Sequence, residues 1–407
     1  MSSEGGAGGA GGAGGAGGAG GAGGAGGAGG AGGAGGAAAY GGYGSPIVSN
    51  ALIMQRDGIV GSWLGKKLSP VARMVDAPGN LVNWEPWVRA AILDFELLSN
   101  LYFTKHSETF AYQDHGSQVQ KTSQDCVSIW QFNVSTSANN PAPTASSSRI
   151  ASFVRPTEQI FQDQLAFLDQ YSDLREDRTA EILTELGPQF AFWSSVVPLH
   201  PDRNRRTIEL LDAALRLANF VEMRVKHALA CHRPNEISPQ VQPIILTPGH
   251  GSFPSGHATE NYMIARILWE LWGKGEQAVG EQLMREAARI AVNRTVAGVH
   301  FPVDTAAGQM LGLTLGQYFV QRATNPTSGQ TFSAWRFDGE RFPSTQDFEP
   351  RRFYYDPTTD KDKLNGGVQP PLDPSYLDEI ASQRPTVSPI LAWLWAEASH
   401  EWTAFQS

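Results

Sequence analysis

Three short blocks in the second half of the chain carry residue types that can bind an anion together. In chain order the blocks are Lys226-x6-Arg233-Pro234, Pro254-Ser255-Gly256-His257 and Arg294-x5-His300-x3-Asp304. Cations and histidines that meet at one point would suit an oxyanion carrying two or more negative charges. The residue types therefore predict a pocket for a tetrahedral or trigonal-bipyramidal oxyanion.

The spacing within the first two blocks predicts how they would bind such an anion. Lys226 and Arg233 are seven residues apart, about two helical turns, so both heads are expected to leave one helix face. Ser255 and Gly256 stand where a loop is predicted to become a helix. Backbone N–H groups at the positive end of that helix would face the anion, and Gly256 allows a close approach of the backbone.

The third block predicts an oriented histidine. Asp304 follows His300 by four residues and can reach back to its ring, which fixes the nitrogen that stays free. Gly298 supplies the turn before His300, and Pro302 suits the first turn of the next helix. An imidazole held in this way is a candidate nucleophile or metal ligand. Taken singly, each of these residues could serve structure alone, but the ordered set favours a site.

The elements that must position these blocks are predicted to be helices, because apolar residues recur at helical spacing and period-2 alternation is nearly absent. Helices are predicted from Pro86 to about Phe103, from Thr157 through Leu168, from Arg175 to Leu186, from Arg206 to about Cys231, from Gly256 to Trp272, from Glu276 to about Arg294, from Pro302 to about Arg322 and from Pro389 to Phe405. Residues 104–150 are rich in Ser, Thr, Gln and Asn and are predicted to be irregular or a short strand pair. The predicted fold class is therefore all-α.

Composition divides the chain into four segments. Residues 1–44 hold a Gly-Gly-Ala repeat and are predicted to be a disordered, flexible tail. Residues 45–150 are predicted to form an N-terminal helix and an irregular segment packed on the core. Residues 151–325 are the predicted helical catalytic core. Residues 326–407, polar and rich in proline, are predicted to wrap this core and to end in a helix.

Charge and hydropathy limit the expected partners. The formal net charge of −9 would repel nucleic acids and anionic lipid head groups. No run approaches the roughly 20 apolar residues that span a bilayer, so no membrane partner is expected. The start of the chain lacks the basic and then apolar pattern of a secretory signal, and a cytoplasmic location is expected.

The three blocks resemble the signature of the type 2 phosphatidic acid phosphatase and vanadium haloperoxidase superfamily, over about residues 200–325. One position departs from it, since Asn293 stands where that signature has Ser before the arginine. The resemblance implies a helical bundle of the vanadium haloperoxidase and acid phosphatase type. Asn293 still carries a hydrogen-bond donor, so the departure bears on the surroundings of Arg294 more than on its role.

The resemblance also implies roles for the residues that match its motifs. The positions matching the oxyanion-binding residues are Lys226, Arg233, Ser255, Gly256 and Arg294. His257 is implied to be the general acid and base. His300, with Asp304 behind it, is implied to be the nucleophile of a phosphatase or the ligand of vanadate in a haloperoxidase.

Two reactions are open to such a pocket. A phosphatase would hydrolyse a phosphomonoester through a phosphohistidine and needs no cofactor, whereas a haloperoxidase would hold vanadate and oxidise a halide with hydrogen peroxide. His250 lies seven residues before His257, in the halide-proximal place of algal bromoperoxidases, and favours the peroxidase. Met223 stands where haloperoxidases commonly carry Trp and favours the phosphatase.

The predicted architecture decides the order of these hypotheses. A long helical segment before Lys226, without membrane helices or a signal peptide, is more typical of soluble haloperoxidases, so the haloperoxidase is the main prediction and the phosphatase the alternative. A third hypothesis is a non-catalytic helical scaffold, against which the intact set of motif residues speaks. A small-molecule substrate is expected in either enzyme, and a homodimer is the one assembly considered.

Overall fold

The computed structural model describes residues 46–62, 65, 78–114, 117–137, 140–273, 276–328, 331–351, 353, 355–356, 361–362 and 376–403. The tail predicted at 1–44 lies outside these residues.

Helices account for most of the regular structure. They are α1 Pro46–Ile59, α2 Pro86–Leu98, α3 Glu158–Ser172, α4 Arg175–Thr184, α5 Phe190–Val196, α6 Arg205–Leu229, α7 Pro234–Ile237, α8 Gly256–Leu268, α9 Gln277–Val296, α10 Pro302–Ser328 and α11 Pro389–His400. A 3₁₀ turn, Pro78–Asn83, precedes α2, and a π-helical turn, Trp269–Gly273, follows α8. The eight helices predicted from hydrophobic spacing all have counterparts here, with ends that differ by a few residues.

A β-sheet stands beside the helices, so the all-α prediction was only partly right. The strands are β1 Leu101–Asp114, β2 Ser117–Ser137, β3 Asn140–Val154, β4 Phe332–Asp338, β5 Tyr355–Asp356, β6 Lys361–Asp362 and β7 Leu377–Gln383. Within the described residues, one five-stranded sheet has the order β1-β2-β3-β4-β7, and β5 and β6 form a separate pair. The β3–β4 pairing is parallel, while the others in the large sheet are antiparallel.

Residues 104–150, predicted to be irregular or a short strand pair, contribute to three long strands, and the extent of these strands was underestimated because polar side chains of this sheet are buried. Ser128 on β2 and Ser152 on β3 are both fully buried, and their hydroxyl oxygens are 2.9 Å apart. Gln131 is buried as well. Strands covered on both faces lose the alternation of apolar and polar residues that marks a half-exposed strand. A Ser- and Gln-rich stretch therefore forms the central strands of a covered sheet.

The helical core lies between β3 and β4 in sequence and packs on the sheet formed by them. The loop before α8 contacts this sheet through Phe253, whose ring centroid is 6.1 Å from that of Phe153 on β3 and 5.9 Å from that of Phe337 on β4. All three rings are fully buried. The sheet therefore supports the segment that leads directly into the Pro-Ser-Gly-His block.

Helices α8 and α10 approach each other closely because small residues line their contact. A Cβ atom added to Gly308 would lie 2.6 Å from the Ser255 carbonyl oxygen, and one added to Gly312 would lie 2.4 Å from that of Thr259. Only glycine allows the two backbones to be this near. This packing brings the first turn of α8 next to Asp304, whose carbonyl oxygen accepts a hydrogen bond of 2.9 Å from the Ser255 N–H.

The end of the chain stabilises the start of α6. The Glu401 carboxylate, just after α11, accepts hydrogen bonds of 2.7 Å and 2.9 Å from the N–H groups of Arg206 and Thr207. Trp402 Nε1 donates to the Thr207 hydroxyl at 2.9 Å. Residues in the first turn of a helix lack intrahelical acceptors, so the C-terminal segment caps the helix that carries Lys226. No helix within the described ranges is both long and apolar enough to span a bilayer.

Candidate active site

One pocket brings residues from all three sequence blocks together. Its walls include Lys226, Arg233, Gly256, His257, Arg294 and His300. The cavity measures about 70 Å³, room for roughly five water-sized spheres. That space suits a four-oxygen anion, with any larger group of a ligand extending toward the open side.

Lys226 is fixed near the C-terminal end of α6 by backbone acceptors. Its ammonium group donates to the carbonyl oxygen of Ser252 at 3.0 Å, to that of Gly251 at 3.3 Å and to that of Pro254. Burial lowers the pKa of Lys226 to about 8, while the carboxylate of Glu222 opposes that shift. Three carbonyl acceptors match the three N–H bonds of an ammonium ion, so Lys226 is a cation in this site at neutral pH.

Arg233 reaches the same pocket from a loop, which corrects the prediction that it shares a helix face with Lys226. The helix ends at Leu229 because Ala230 adopts left-handed φ and ψ angles of 48° and 48°. Pro234 then starts the short helix α7, for which Arg233 is the N-cap residue. Burial lowers the pKa of Arg233 to about 10, so this guanidinium stays charged at neutral pH.

Ser255 and Gly256 form the N-terminal end of α8, as their positions predict. The Ser255 hydroxyl oxygen accepts a long hydrogen bond of 3.5 Å from the Ala258 N–H and caps the helix. Ser255 itself lies behind the pocket wall, whereas Gly256 and His257 line the pocket. Within the described residues, no hydrogen bond uses the N–H groups of Gly256 and His257, so these donors are available to an anion.

The tautomer of His300 follows from its two neighbours. Arg233 Nη1 lies 3.0 Å from His300 Nε2, and a guanidinium can only donate, so Nε2 carries the lone pair. His300 Nδ1 therefore holds the proton and donates to Asp304 Oδ2 at 3.1 Å. Burial and the charges of Arg233 and Lys226 hold the pKa of His300 well below its usual value. His300 is a neutral imidazole with its basic nitrogen at the pocket.

Backbone geometry holds this histidine in place. Gly298 has a φ of +83°, and an added Cβ would lie 2.8 Å from Arg175 Nη2. Such a turn favours glycine. Asp304 Oδ2 also accepts from the Phe301 N–H at 2.9 Å, so the carboxylate holds both the ring and the backbone around His300. Burial raises the pKa of Asp304 to about 6.

Arg294 is held by a carboxylate that the sequence motifs do not include. Its Nη2 donates to Glu185 Oε2 in an ion pair in which both side chains are almost fully buried. Asn293, the residue that departs from the motif, donates from Nδ2 to Glu185 Oε1 at 2.6 Å and to Glu181 Oε2 at 3.1 Å. The amide therefore helps to fix the acid that positions Arg294.

His257 lines the pocket and contacts the backbone of Glu185, the acid that also pairs with Arg294. Its Nε2 donates to the Glu185 carbonyl oxygen at 3.1 Å, so Nδ1 is the basic nitrogen of the neutral ring. Burial and the positive charge of Arg294 lower the pKa of His257 to about 3. His257 is therefore neutral while the pocket is empty of anions.

His250 and Met223 belong to the pocket wall, the place predicted for them. His250 Nδ1 accepts from Arg233 Nη2 at 3.1 Å, and its carbonyl oxygen accepts from Arg233 Nε at 2.9 Å. Partial burial, Lys226 and Arg233 lower the pKa of His250 to about 4. His250 is therefore uncharged, and its two hydrogen bonds help to position Arg233.

The donors around the cavity fit an oxyanion. Arg294 Nε and Nη1 are buried and have no hydrogen-bond partner among the described residues, and an unsatisfied buried donor is costly. An anion between Arg294, Arg233 and the first turn of α8 would satisfy them. Phosphate and vanadate share this shape and charge, so the donor set accepts either.

Two further acids, Glu222 and Glu260, line this pocket and belong to none of the three sequence blocks. Glu222 precedes Lys226 by four residues on α6, and Glu260 follows His257 by three on α8, so helical spacing places each on the site face. Glu185 was also missed, because it lies 108 residues from Asn293. The one feature of the local sequence that marks Glu185 is its position at the C-terminal end of a helix, where a negative charge is unfavourable unless a cation lies nearby.

Comparison with known proteins identifies the family. The family profile described as the PAP2 superfamily matches residues 210–327. Decaprenylphosphoryl-5-phosphoribose phosphatase from Mycobacterium tuberculosis (strain CDC 1551 / Oshkosh) is 31% identical over 141 residues, which cover 34% of this chain and 75% of that protein. The chain belongs to the PAP2 superfamily. A protein of the same description from Mycolicibacterium smegmatis (strain ATCC 700084 / mc(2)155) is 29% identical to this PAP2 chain over 132 residues, 32% of this chain and 69% of its own length.

A solved structure adds one further likeness. The crystal structure described as the first transmembrane PAP2 type phosphatidylglycerolphosphate phosphatase, from Bacillus subtilis, is 18% identical and covers 39% of this chain and 80% of that one. Its TM-score of 0.24 is too low to bear on the fold.

The relatives make this chain an enzyme of the PAP2 superfamily and bear on its reaction. Those named above are phosphatases by description, so they favour the phosphatase alternative over the haloperoxidase that was the main prediction. The expectations of a vanadate cofactor and of no membrane partner gain no support from these proteins. His250 was the residue that favoured the peroxidase, and its contacts here are with Arg233.

Proposed function

We propose that this PAP2 enzyme is a phosphomonoesterase that acts through a phosphohistidine at His300. The observation that carries the proposal is the tautomer of His300, whose unprotonated Nε2 belongs to a pocket of three cations. A neutral imidazole oriented by a carboxylate is an activated nucleophile. The phosphatase descriptions of the relatives support the same reaction.

In the first step, Arg233 Nη1 moves its hydrogen bond from His300 Nε2 to a phosphoryl oxygen. The freed lone pair of Nε2 attacks phosphorus, and the bond from phosphorus to the ester oxygen breaks. Lys226, Arg233 and Arg294 stabilise the negative charge of the phosphoryl oxygens. The N–H groups of Gly256 and His257, at the N-terminus of α8, donate hydrogen bonds to the same oxygens. The proton on His300 Nδ1 stays on that nitrogen and is hydrogen-bonded to Asp304, whose negative charge stabilises the imidazolium that forms. The leaving oxygen departs on the side away from His300.

The general acid and base in the proposed reaction is His257. A bound dianion raises the pKa of His257, because a nearby negative charge favours the imidazolium. The protonated ring then gives its proton to the leaving oxygen. In the second step the neutral ring takes a proton from water, which attacks the phosphohistidine and releases inorganic phosphate. One ester and one water thus give one alcohol and one phosphate.

The open side of the pocket favours a leaving group with an apolar part. Leu186, Ile245, Leu246 and Pro248 are among the residues that line the pocket, and Leu246 is 94% exposed. Exposed apolar residues beside a polar site are typical of ligand contacts.

Leu246→Asp should raise KM for a long-chain alkyl phosphate and leave KM for p-nitrophenyl phosphate nearly unchanged.

The proposed reaction is tested by assaying one preparation for both activities. Hydrolysis of p-nitrophenyl phosphate, inhibited by vanadate, is expected, and acid-quenched enzyme should carry an acid-labile phosphate that His300→Ala lacks. Halogenation of a phenol dye with vanadate, hydrogen peroxide and bromide should be absent. Vanadate-dependent halogenation without ester hydrolysis would overturn the proposal and restore the haloperoxidase.

A further inference from the structure

The anion pocket contains two carboxyl groups that the proposed reaction does not use. Glu222 and Glu260 line the pocket together with Lys226 and Arg294. Their side chains are almost entirely buried, with 2% and 4% of the residue surface exposed. An ionised carboxylate that faces a bound dianion would repel it, and the low dielectric of a buried site strengthens that repulsion. A phosphate pocket with such walls therefore needs a way to remove negative charge.

Glu222 lies against the anion-binding end of α8. An atom placed at the Cβ position of Gly256 would be only 2.5 Å from Glu222 Oε1, so the carboxyl group occupies the space left by the missing side chain. Glu222 Oε2 is buried and has no hydrogen-bond partner among the described residues. A buried oxygen without a donor is poorly stabilised as an anion. As a protonated carboxyl group, it could instead donate to a ligand.

The charged and titratable groups that face Glu222 come from each element around the pocket. They are Lys226 on α6, Arg233 and His250 in the following loops, His257 and Glu260 on α8, Arg294 on α9 and His300 just before α10, with Asp304 hydrogen-bonded behind His300. Two other charged residues of α6, Glu209 and Arg216, form ion pairs with Arg89 and Asp94 and do not line this pocket.

Near neutral pH the acids of the pocket are the groups whose charge changes most on binding, because His257 starts from a pKa of about 3 and most of its rings stay neutral even when a bound dianion raises that pKa. Lys226 keeps its proton because three carbonyl oxygens accept from it. Burial holds the pKa of Glu260 well above its usual value, and the charge of Glu222 raises it further, so Glu260 stays neutral. Burial raises the pKa of Glu222 to about 7, against the opposing charges of Lys226 and Arg233. Glu222 is thus poised between its two forms near neutral pH.

We propose that Glu222 takes up one proton when a tetrahedral dianion enters the pocket and then donates a hydrogen bond to one of its oxygens. The proton comes from solvent, and no covalent bond to the ligand forms or breaks. Proton uptake converts Glu222 from a carboxylate that repels the dianion into a hydrogen-bond donor. The positive charges of the pocket are then no longer offset by Glu222 and act on the dianion alone. The inference uses the same pocket as the proposed phosphatase reaction and assigns Glu222 as a binding residue for its phosphoryl group.

The test uses tungstate, a tetrahedral dianion that carries no proton at neutral pH. Its binding to the full-length protein is measured by calorimetry in two buffers of different ionisation enthalpy. About half a proton should be taken up per tungstate at about pH 7, where half of free Glu222 is ionised while Lys226 still holds its proton, and the dissociation constant should rise with pH as Glu222 ionises. Glu222→Gln should bind tungstate without proton uptake.

The matched control is Glu286→Gln. Glu286 on α9 is another partly buried acid whose pKa is raised by burial, and it is absent from the pocket wall. Its replacement should leave proton uptake at the wild-type value. Wild-type protein that binds tungstate without uptake would overturn the inference. So would uptake that persists in Glu222→Gln, because another group would then carry the proton.

A second measurement keeps the inference testable if Glu222→Gln does not fold. Infrared difference spectra of the wild-type protein should gain the carbonyl band of a neutral carboxylic acid when tungstate binds, and its absence would overturn the inference. Hydrolysis of p-nitrophenyl phosphate is measured on the same preparations. Proton uptake without hydrolysis would count against the proposed function alone, whereas hydrolysis without uptake would count against Glu222 alone.

Discussion

At the scale of single residues, the site is a set of side chains that fix one another's protons. Arg233 donates to Nε2 of His300 and Asp304 accepts from Nδ1, so the ring is held in the tautomer whose unprotonated nitrogen is Nε2. Glu185 plays a similar part on the other side, with its carboxylate on Arg294 and its carbonyl oxygen on His257. Each histidine is therefore held in one tautomer before any ligand arrives.

The two histidines should differ in the step that they support. His300→Ala removes the nucleophile, so no phosphoenzyme should form, while tungstate still binds to the three cations. His257→Ala removes a proton carrier worth about 10²–10⁴ in rate, and with p-nitrophenyl phosphate, whose leaving group needs little protonation, the phosphoenzyme should accumulate. Acid quench of radiolabelled enzyme measures both. Equal accumulation in the two variants would show that these roles are misassigned.

The pH profile should report Asp304. Burial raises the pKa of this carboxyl group to about 6. Because the ionised form orients His300, kcat/KM for p-nitrophenyl phosphate should fall about tenfold for each pH unit below that pKa. Asp304→Asn should lower kcat/KM by about 10- to 100-fold and remove this acid limb. A profile with the same acid limb in Asp304→Asn would assign the limb to another group.

At the scale of elements, the contact between α8 and α10 positions both histidines. His257 lies in the first turn of α8, and Asp304 lies in that of α10. The two helices meet at Gly308 and Gly312, where an added Cβ has no space. Any side chain at these glycines must push the helices apart and separate His257 from His300.

Gly312→Ala should therefore harm both stability and activity. Overpacking of this kind costs about 1–3 kcal/mol, which denaturant unfolding would measure, and kcat should fall with it. Gly187→Ala is the control, because a Cβ there meets its nearest atom at 3.7 Å. That variant should keep wild-type stability within about 0.5 kcal/mol. A Gly312→Ala protein as stable and active as the control would show that the helices can separate freely.

The elements also show what local sequence can and cannot predict. The helices are visible because each buries one stripe, as α6 does, and because Thr157 and Pro302 start helices in recognisable ways. The sheet was missed because Ser128 and Ser152 hydrogen-bond each other inside it. The pairing of β3 with β4 joins segments far apart in sequence, for which periodicity holds no information.

The same limit applies to the site. Ordered motifs located the cations and histidines, since their spacing reflects turns and helix ends within short segments. The helix end at Ala230 was misjudged, because only the three-dimensional structure reveals its left-handed backbone. Glu185, Glu222 and Glu260 were overlooked because an isolated glutamate on a helix is ordinarily solvated. Their roles depend on which helices pack together.

At the scale of the whole molecule, the sheet and the helical core meet at Phe253. Phe253→Ala should cost about 3–5 kcal/mol through the cavity that it leaves, and it should also raise KM, because Ser255 and Gly256 follow directly. Phe342→Ala, in the same aromatic cluster on Phe337, is the matched control and should lower stability without raising KM. Denaturant unfolding and steady-state kinetics separate the two effects. A KM change of equal size in both variants would contradict a special link through Phe253.

The parallel pairing of β3 with β4 has a consequence for the order in which the protein is made. All residues of the anion pocket are synthesised before Phe332, where β4 begins. The strand that carries Phe337, on which Phe253 packs, is added afterwards. A nascent chain halted before β4 would contain a complete set of pocket residues without the surface that orders their loop. Hydrolytic activity should therefore emerge late in translation, when β4 leaves the ribosome, and a series of stalled chains of increasing length would reveal that moment.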